Sequence, residues 1–256
     1  MSQTLRIIAS PAKKMRVQDA PPWPVREAAF LGRSEELACA LRGLTLPEAQ
    51  GLWRCSDRLA VLNYERLRGM DLTRGVTAAA VAYEGIQYQH LAAGVMDERE
   101  LAWLDTHLRI LSGLYGMLRP LDGVVPYRLE MQARLSVGDA RDLYAFWGDA
   151  LYEALARECD LVVNVASVEY ARAVTRWVRP DGPQILTCLF GTMREGRLRQ
   201  CATEAKTARG TFIRWCAERG AQDPAELEEF DQRGYALDRN LSDEGALVFV
   251  RATSSR

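Results

Sequence analysis

Two short runs constrain the fold of this 256-residue chain more than any other feature. Leu161-Val162-Val163-Asn164-Val165 is apolar but for one amide and has the length of a strand, and Ser167 just beyond it can cap a helix through Val174. Leu5 to Ala9 is a second such run, leading directly into Ser10-Pro11-Ala12-Lys13-Lys14. Strands that pass into capped helices or polar loops belong to α/β architectures, where ligands gather beyond the strand ends.

The spacing between and beyond these runs predicts further elements. A proline-rich loop, Ala20-Pro21-Pro22-Trp23-Pro24, precedes a helix over Val25 to Leu41. Pro47 opens a second helix in its first turn, and Ser56-Asp57 caps a third that ends near Gly69. Thr77 to Tyr83 reads as a strand of small residues. Leu101, Leu104, Leu108 and Leu111 form one stripe at helical spacing, so a helix is expected to run to Gly113 and to end there in a left-handed cap, with Gly116 making a second bend. Gln184 to Phe190 and Leu198 to Ala202 read as paired strands, Glu204 to Arg219 as a helix, and Tyr235 to Asp238 with Ala246 to Val250 as a final hairpin. The expectation is one α/β domain over residues 1–256 with a largely helical layer.

Composition matters for what it removes. No apolar run approaches the roughly 20 residues that span a bilayer, and Leu5 to Ala9 is too short for a signal-peptide core, so a cytoplasmic protein is expected. The six cysteines are far apart with no Cys-x-x-Cys pair, and His90 and His107 stand in no metal-binding spacing. No metal and no cofactor is assigned. The net charge of −1 conceals an uneven distribution, since 221–245 carries two bases against eight acids while 1–34 and 190–220 are basic. Thirty arginines stand against three lysines, Lys13, Lys14 and Lys206. An ammonium is a compact charge that can lose its proton when desolvated, which makes Lys13 and Lys206 candidates for chemistry or for tight anion contact.

Three clusters could carry function. Lys206, Arg209 and Gly210 share one side of a helix, and two cations three residues apart repel unless an acid or an anionic ligand compensates. Asn164, Glu130 and Glu169 place polar groups beside apolar runs, where they can line a cleft with Arg128 or close a structural network. The aromatic segment Tyr144 to Trp147 fits core packing better than base stacking. Gly113-Leu114-Tyr115-Gly116 followed by Arg119 suggests a helix-hairpin-helix-like element whose amides could hold a DNA phosphate, although such hairpins usually have one residue between the glycines.

Together, Ser10-Pro11-Ala12-Lys13, Ser56 to Ala60, Leu108 to Asp122, Pro126 to Met131, Tyr144 to Asp149, Asn164 to Tyr170 and Ala205 to Gly210 resemble the bacterial peroxide stress protein YaaA family over nearly the whole chain. The resemblance implies that family's α/β fold, a helix-hairpin-helix element beside a basic cleft, and a cytosolic protein that binds DNA, distorted duplexes included, and limits damage from peroxide and free iron. Ser10, Lys13, Arg109, Gly113, Gly116, Arg119, Arg128, Lys206 and Arg209 are then the expected phosphate or DNA contacts. The alternative is an enzyme acting on a small anionic or nucleobase-containing substrate, with Lys13 or Lys206 and one of Glu84, Glu130 and Glu169 as catalytic groups. Two departures from the family pattern fall where a ligand could sit. Gly85-Ile86-Gln87-Tyr88 lacks a carboxylate expected after the glycine, and Cys201 to Glu204 replaces an aromatic segment.

Overall fold

A computed structural model describes residues 3–18 and 23–252. The chain begins with β1 (Leu5–Ala9) and β2 (Lys14–Met15), followed by the helices α1 (Leu31–Arg42), α2 (Leu46–Trp53) and α3 (Asp57–Arg68). Small residues then form β3 (Thr77–Ala78) and α4 (Ala79–Ala82), followed by β4 (Tyr83–Glu84) and α5 (Ile86–Leu91). Helix α6 (Glu98–His107) passes without a loop into β5 (Leu108–Ser112), then β6 (Gly116–Leu118) and β7 (Gly123–Val124). The second half contains α7 (Leu143–Trp147), α8 (Ala150–Ala156), β8 (Leu161–Asn164), α9 (Val168–Thr175), β9 (Gln184–Arg194), β10 (Arg197–Arg199), α10 (Ala202–Arg219), α11 (Pro224–Leu227), β11 (Tyr235–Leu237) and β12 (Ala246–Arg251).

The main sheet runs β11-β12-β9-β8-β1-β5-β6, with β10 attached to β9. Its five central strands are parallel, and antiparallel pairs occur only where β11, β6 and β10 join. Central parallel strands are covered on both faces, which is why β8 and β5 are buried at every position rather than at alternate ones. Chain order reverses at β1, with β5 on one side and β8 on the other. That junction is the switch point at which open α/β sheets hold ligands.

Several expectations change in the folded chain. The stripe read as one helix divides at His107: Leu101 and Leu104 lie on α6, while Leu108 and Leu111 lie on β5, whose Leu108, Arg109 and Ile110 pair with Ile7, Ile8 and Ala9. A buried parallel strand is apolar throughout and therefore satisfies a helical template as well. The Gly113–Gly116 segment consequently joins two antiparallel strands, with Ser112 opposite Gly116, and there is no helix-hairpin-helix here. Gly116 has a positive φ of 70°, whereas Gly113 is not left-handed. Gly113 is needed for closeness, since a Cβ there would lie 2.4 Å from the Leu129 carbonyl oxygen. The hairpin also faces inward: Tyr115 N donates to Ser112 Oγ, and Trp147 Nε1 donates to the Gly113 carbonyl.

Smaller differences have local causes. The first helix starts at Leu31, because Arg26 is held in extended pairing, its N–H donating to the Leu121 carbonyl and its carbonyl accepting from Gly123 N. The expected Thr77–Tyr83 strand is interrupted by the alanine-rich turn α4. Ala20-Pro21-Pro22 lies outside the described residues. Among the described residues no helix is long and apolar enough to cross a membrane.

Candidate functional site

Strands β1 and β8 end side by side, and the residues that follow them are joined. Ser167 N donates to Ser10 Oγ at 2.8 Å, and Ser10 Oγ in turn donates to Ser167 Oγ at 3.1 Å. The Ser10 carbonyl accepts from Tyr88 OH at 2.9 Å and Gln87 Nε2 at 3.2 Å, which ties α5 to the same point. Helix α10 packs on α5 because Gly210 has no side chain, for a Cβ there would sit 2.0 Å from the Gln87 carbonyl oxygen. The close approach that the glycine permits is that of a helix backbone.

A cavity of about 410 Å³ opens where these elements meet. Ser10, Lys13, Glu84, Glu130, Glu169, Lys206 and Arg209, seven of the residues singled out in the sequence, line it. Lys13 Nζ lies 2.9 Å from Glu130 Oε1, and Lys14 Nζ lies 2.8 Å from Glu84 Oε2 across the β2–β4 pair. Arg128 stands behind Glu130, with Nη2 3.5 Å from Glu130 Oε1. The cavity is of mixed charge rather than uniformly basic, with the cations of Lys13, Lys14, Lys206 and Arg209 facing three carboxylates.

Those charges are not all matched. Burial lowers the Arg209 guanidinium below its usual range, its Nε is buried without an acceptor, and no carboxylate offsets the charge among the described residues. Glu169 deviates the other way. Burial, with the charge of Glu130 added, raises its carboxyl above the ordinary range against the opposing pull of the Gln132 N–H and Lys13. A cation with no counter-ion among the described residues, beside a carboxyl whose proton affinity burial raises, can hold an anion and exchange a proton with it. Among the described residues no group of three metal-ligating side chains is assembled.

The remaining candidates lie elsewhere. Arg109 is only 4% exposed and is occupied by Glu158 Oε2, at 2.6 Å from Nη2, and by the carbonyls of Asp105 and Leu108. Gly113 and Gly116 are interior packing positions under Leu129 and Trp147. Arg119 is exposed, and its backbone N–H is capped by Asp122 Oδ2. Asn164 serves structure, accepting from Ala166 N and donating to Thr187. The segment Gly85 to Tyr88, read in the sequence as lying where a ligand could sit, supplies Gln87 and Tyr88 to the lining, whereas Tyr170 was not singled out as a lining residue.

The chain matches the family model described as peroxide stress protein YaaA over residues 5–241. It is 42% identical over 252 residues to a UPF0246 protein of Lachnoclostridium phytofermentans, covering 98% of each chain. It is 44% identical over 251 residues to a UPF0246 protein of Pediococcus pentosaceus, covering 96% of this chain and 98% of the relative. A UPF0246 protein of Lactiplantibacillus plantarum is likewise 44% identical, over 247 residues and with 96% and 99% covered. With a family model and full-length relatives in agreement, the chain belongs to the peroxide stress protein YaaA family.

Proposed function

We propose that the protein serves bacterial peroxide defence in the cytosol by binding a phosphate-bearing nucleotide unit in the Ser10–Arg209 cavity, the unit being one that a distorted DNA duplex presents. The half-buried guanidinium of Arg209, whose Nε is buried without an acceptor and which has no carboxylate partner among the described residues, carries this reading, because a desolvated charge of this kind is costly and is offset by an anion. Lys206, one turn away on α10, and Lys13 on the opposite wall supply further cations, while Tyr88 and Tyr170 offer aromatic surface for a base. The volume admits one nucleotide and excludes an intact duplex. The hairpin glycines and Arg109 have no part in the contact.

A second reading, an enzyme acting on a small anionic or nucleobase-containing substrate, is favoured by one observation: Glu169 and Glu130 share the cavity, and burial raises the proton affinity of Glu169. Lys206→Arg separates the two, since charge survives and binding persists while a proton transfer through the amine is lost.

The binding reading is tested with Arg209→Met and a fluorescent DNA carrying an unpaired bubble, titrated at two salt concentrations. Wild type binds with an affinity that falls as salt rises. The variant loses roughly tenfold or more in affinity and melts at a higher temperature, because the unpaired buried charge is gone. Unchanged binding by the variant overturns the proposal.

A further inference from the structure

On the other side of Glu169 the surface changes character. A groove of about 800 Å³ runs between the end of α2, the 132–141 segment, α7 and α9. Five arginines line it: Arg54, Arg134, Arg141, Arg172 and Arg176. Arg141 has a carboxylate neighbour, Asp142, at 3.8 Å, and the other four make no ion pair among the described residues. Arg172 and Arg176 stand four apart along α9 and its end, where like charges repel. Each lies over an aromatic ring, Arg172 over Tyr144 at 5.1 Å and Arg176 over Trp177 at 5.0 Å. Such stacking orients the flat guanidinium and leaves its N–H edge free. A concavity lined with oriented, unpaired guanidinium edges focuses positive potential and matches adjacent phosphates in forked pairs.

The carboxylates narrow the ligand class. Asp142 holds the Ala145 N–H through Oδ1 and turns Oδ2 toward Arg141 at 3.8 Å, beyond hydrogen-bond distance, and Glu169 holds the Gln132 N–H through Oε1, so each carboxylate keeps acceptor capacity. Glu169 stands at the junction with the cavity, and a continuous phosphate strand passing from one to the other would meet its charge. A terminated phosphate chain avoids that conflict, and a sugar diol suits the spare carboxylate oxygens. We propose that this groove is a second binding site, separate from the cavity, for a free ribonucleoside polyphosphate. The phosphates lie on Arg134, Arg172 and Arg176, and the sugar lies toward a carboxylate.

Calorimetric titration of the full chain tests this with each of the four common ribonucleoside triphosphates, their monophosphates, inorganic tripolyphosphate and a short single-stranded DNA. At least one triphosphate is expected to bind roughly tenfold tighter than its monophosphate and than tripolyphosphate. Arg172→Gln with Arg176→Gln, both on an exposed helix face, is expected to remove that preference while bubble-DNA binding that depends on Arg209 stays intact. The proposal is overturned if no triphosphate binds, if the double variant binds as wild type does, or if tripolyphosphate equals every nucleotide. It is also overturned if the single strand binds more tightly than any triphosphate and loses that affinity in the same variant.

Discussion

Gly210 offers the sharpest perturbation of the site geometry. Substitution by alanine at an open helix position stabilises by about 1 kcal/mol, since glycine is the more costly residue in a helix interior. Gly51 in α2 is such a position, with nothing within 4 Å of a built Cβ. Gly210 differs because the same methyl would lie 2.0 Å from the Gln87 oxygen and 3.0 Å from His90 Cβ. Ordinary carbon–oxygen contact is about 3.3 Å, so α5 and α10 must separate by roughly 1 Å. Overpacking of this kind costs about 1–3 kcal/mol. Gly210→Ala is therefore expected to lose about 2 kcal/mol while Gly51→Ala gains up to about 1 kcal/mol. At roughly 2–4 °C per kcal/mol for a chain of this size, the two melting temperatures move in opposite directions, the first down by about 4–8 °C. Calorimetric melts of both variants check the pair, and binding should weaken in Gly210→Ala alone, because α5 carries Tyr88 and α10 carries Lys206 and Arg209. A Gly210→Ala protein that melts at or above the wild-type temperature would refute the account of how the two helices are spaced.

Further expectations concern charge. The folded state holds the Glu169 proton more tightly than the unfolded chain does, so the ionised side chain costs stability near neutrality, and that cost is relieved as pH falls through the raised folded value. Glu169→Gln keeps the acceptor for Gln132 N and should be more stable than wild type near neutrality. Urea midpoints measured across pH should show the difference shrinking on acidification, and a difference that grows would contradict it. Arg109→Met removes the buried partner of Glu158, which is 23% exposed in its side chain and keeps Arg6 Nε at 3.3 Å, and should lower stability by about 1–2 kcal/mol, with Arg6 and water offsetting part of the full buried-pair penalty. DNA binding by that variant should match wild type, and a matching loss of affinity would return Arg109 to the site.

Much of the framework was legible from local signals. β1, β8, α9 and α10 announce themselves because each is a run of the right period bounded by a polar cap or loop, and such signals depend only on near neighbours. Lys13, Lys206 and the three glutamates, which the fold gathers around one cavity, were singled out from an unusual lysine scarcity and from polar groups set beside apolar runs. Leu108 to Ser112 was not, because a buried parallel strand and a buried helix can share one pattern of leucines, and the partner that decides between them, β1, lies a hundred residues away. Gly113 and Gly116 suggested turns facing a ligand, and only the neighbouring backbone of Leu129 and the ring of Trp147 reveal that they make room inside.

The sequence by itself determined the α/β class, the family and the short list of charged residues, since these rest on composition, period and motif. Tertiary structure alone decided which of those charges meet. Ser10 and Ser167 become neighbours through the β1–β8 pairing, and Lys206 and Arg209 reach them only because Gly210 lets α10 press against α5. The same packing leaves Arg209 without a counter-ion among the described residues and gives Arg109 one, a difference in environment that two identical side chains cannot encode in their own position along the chain.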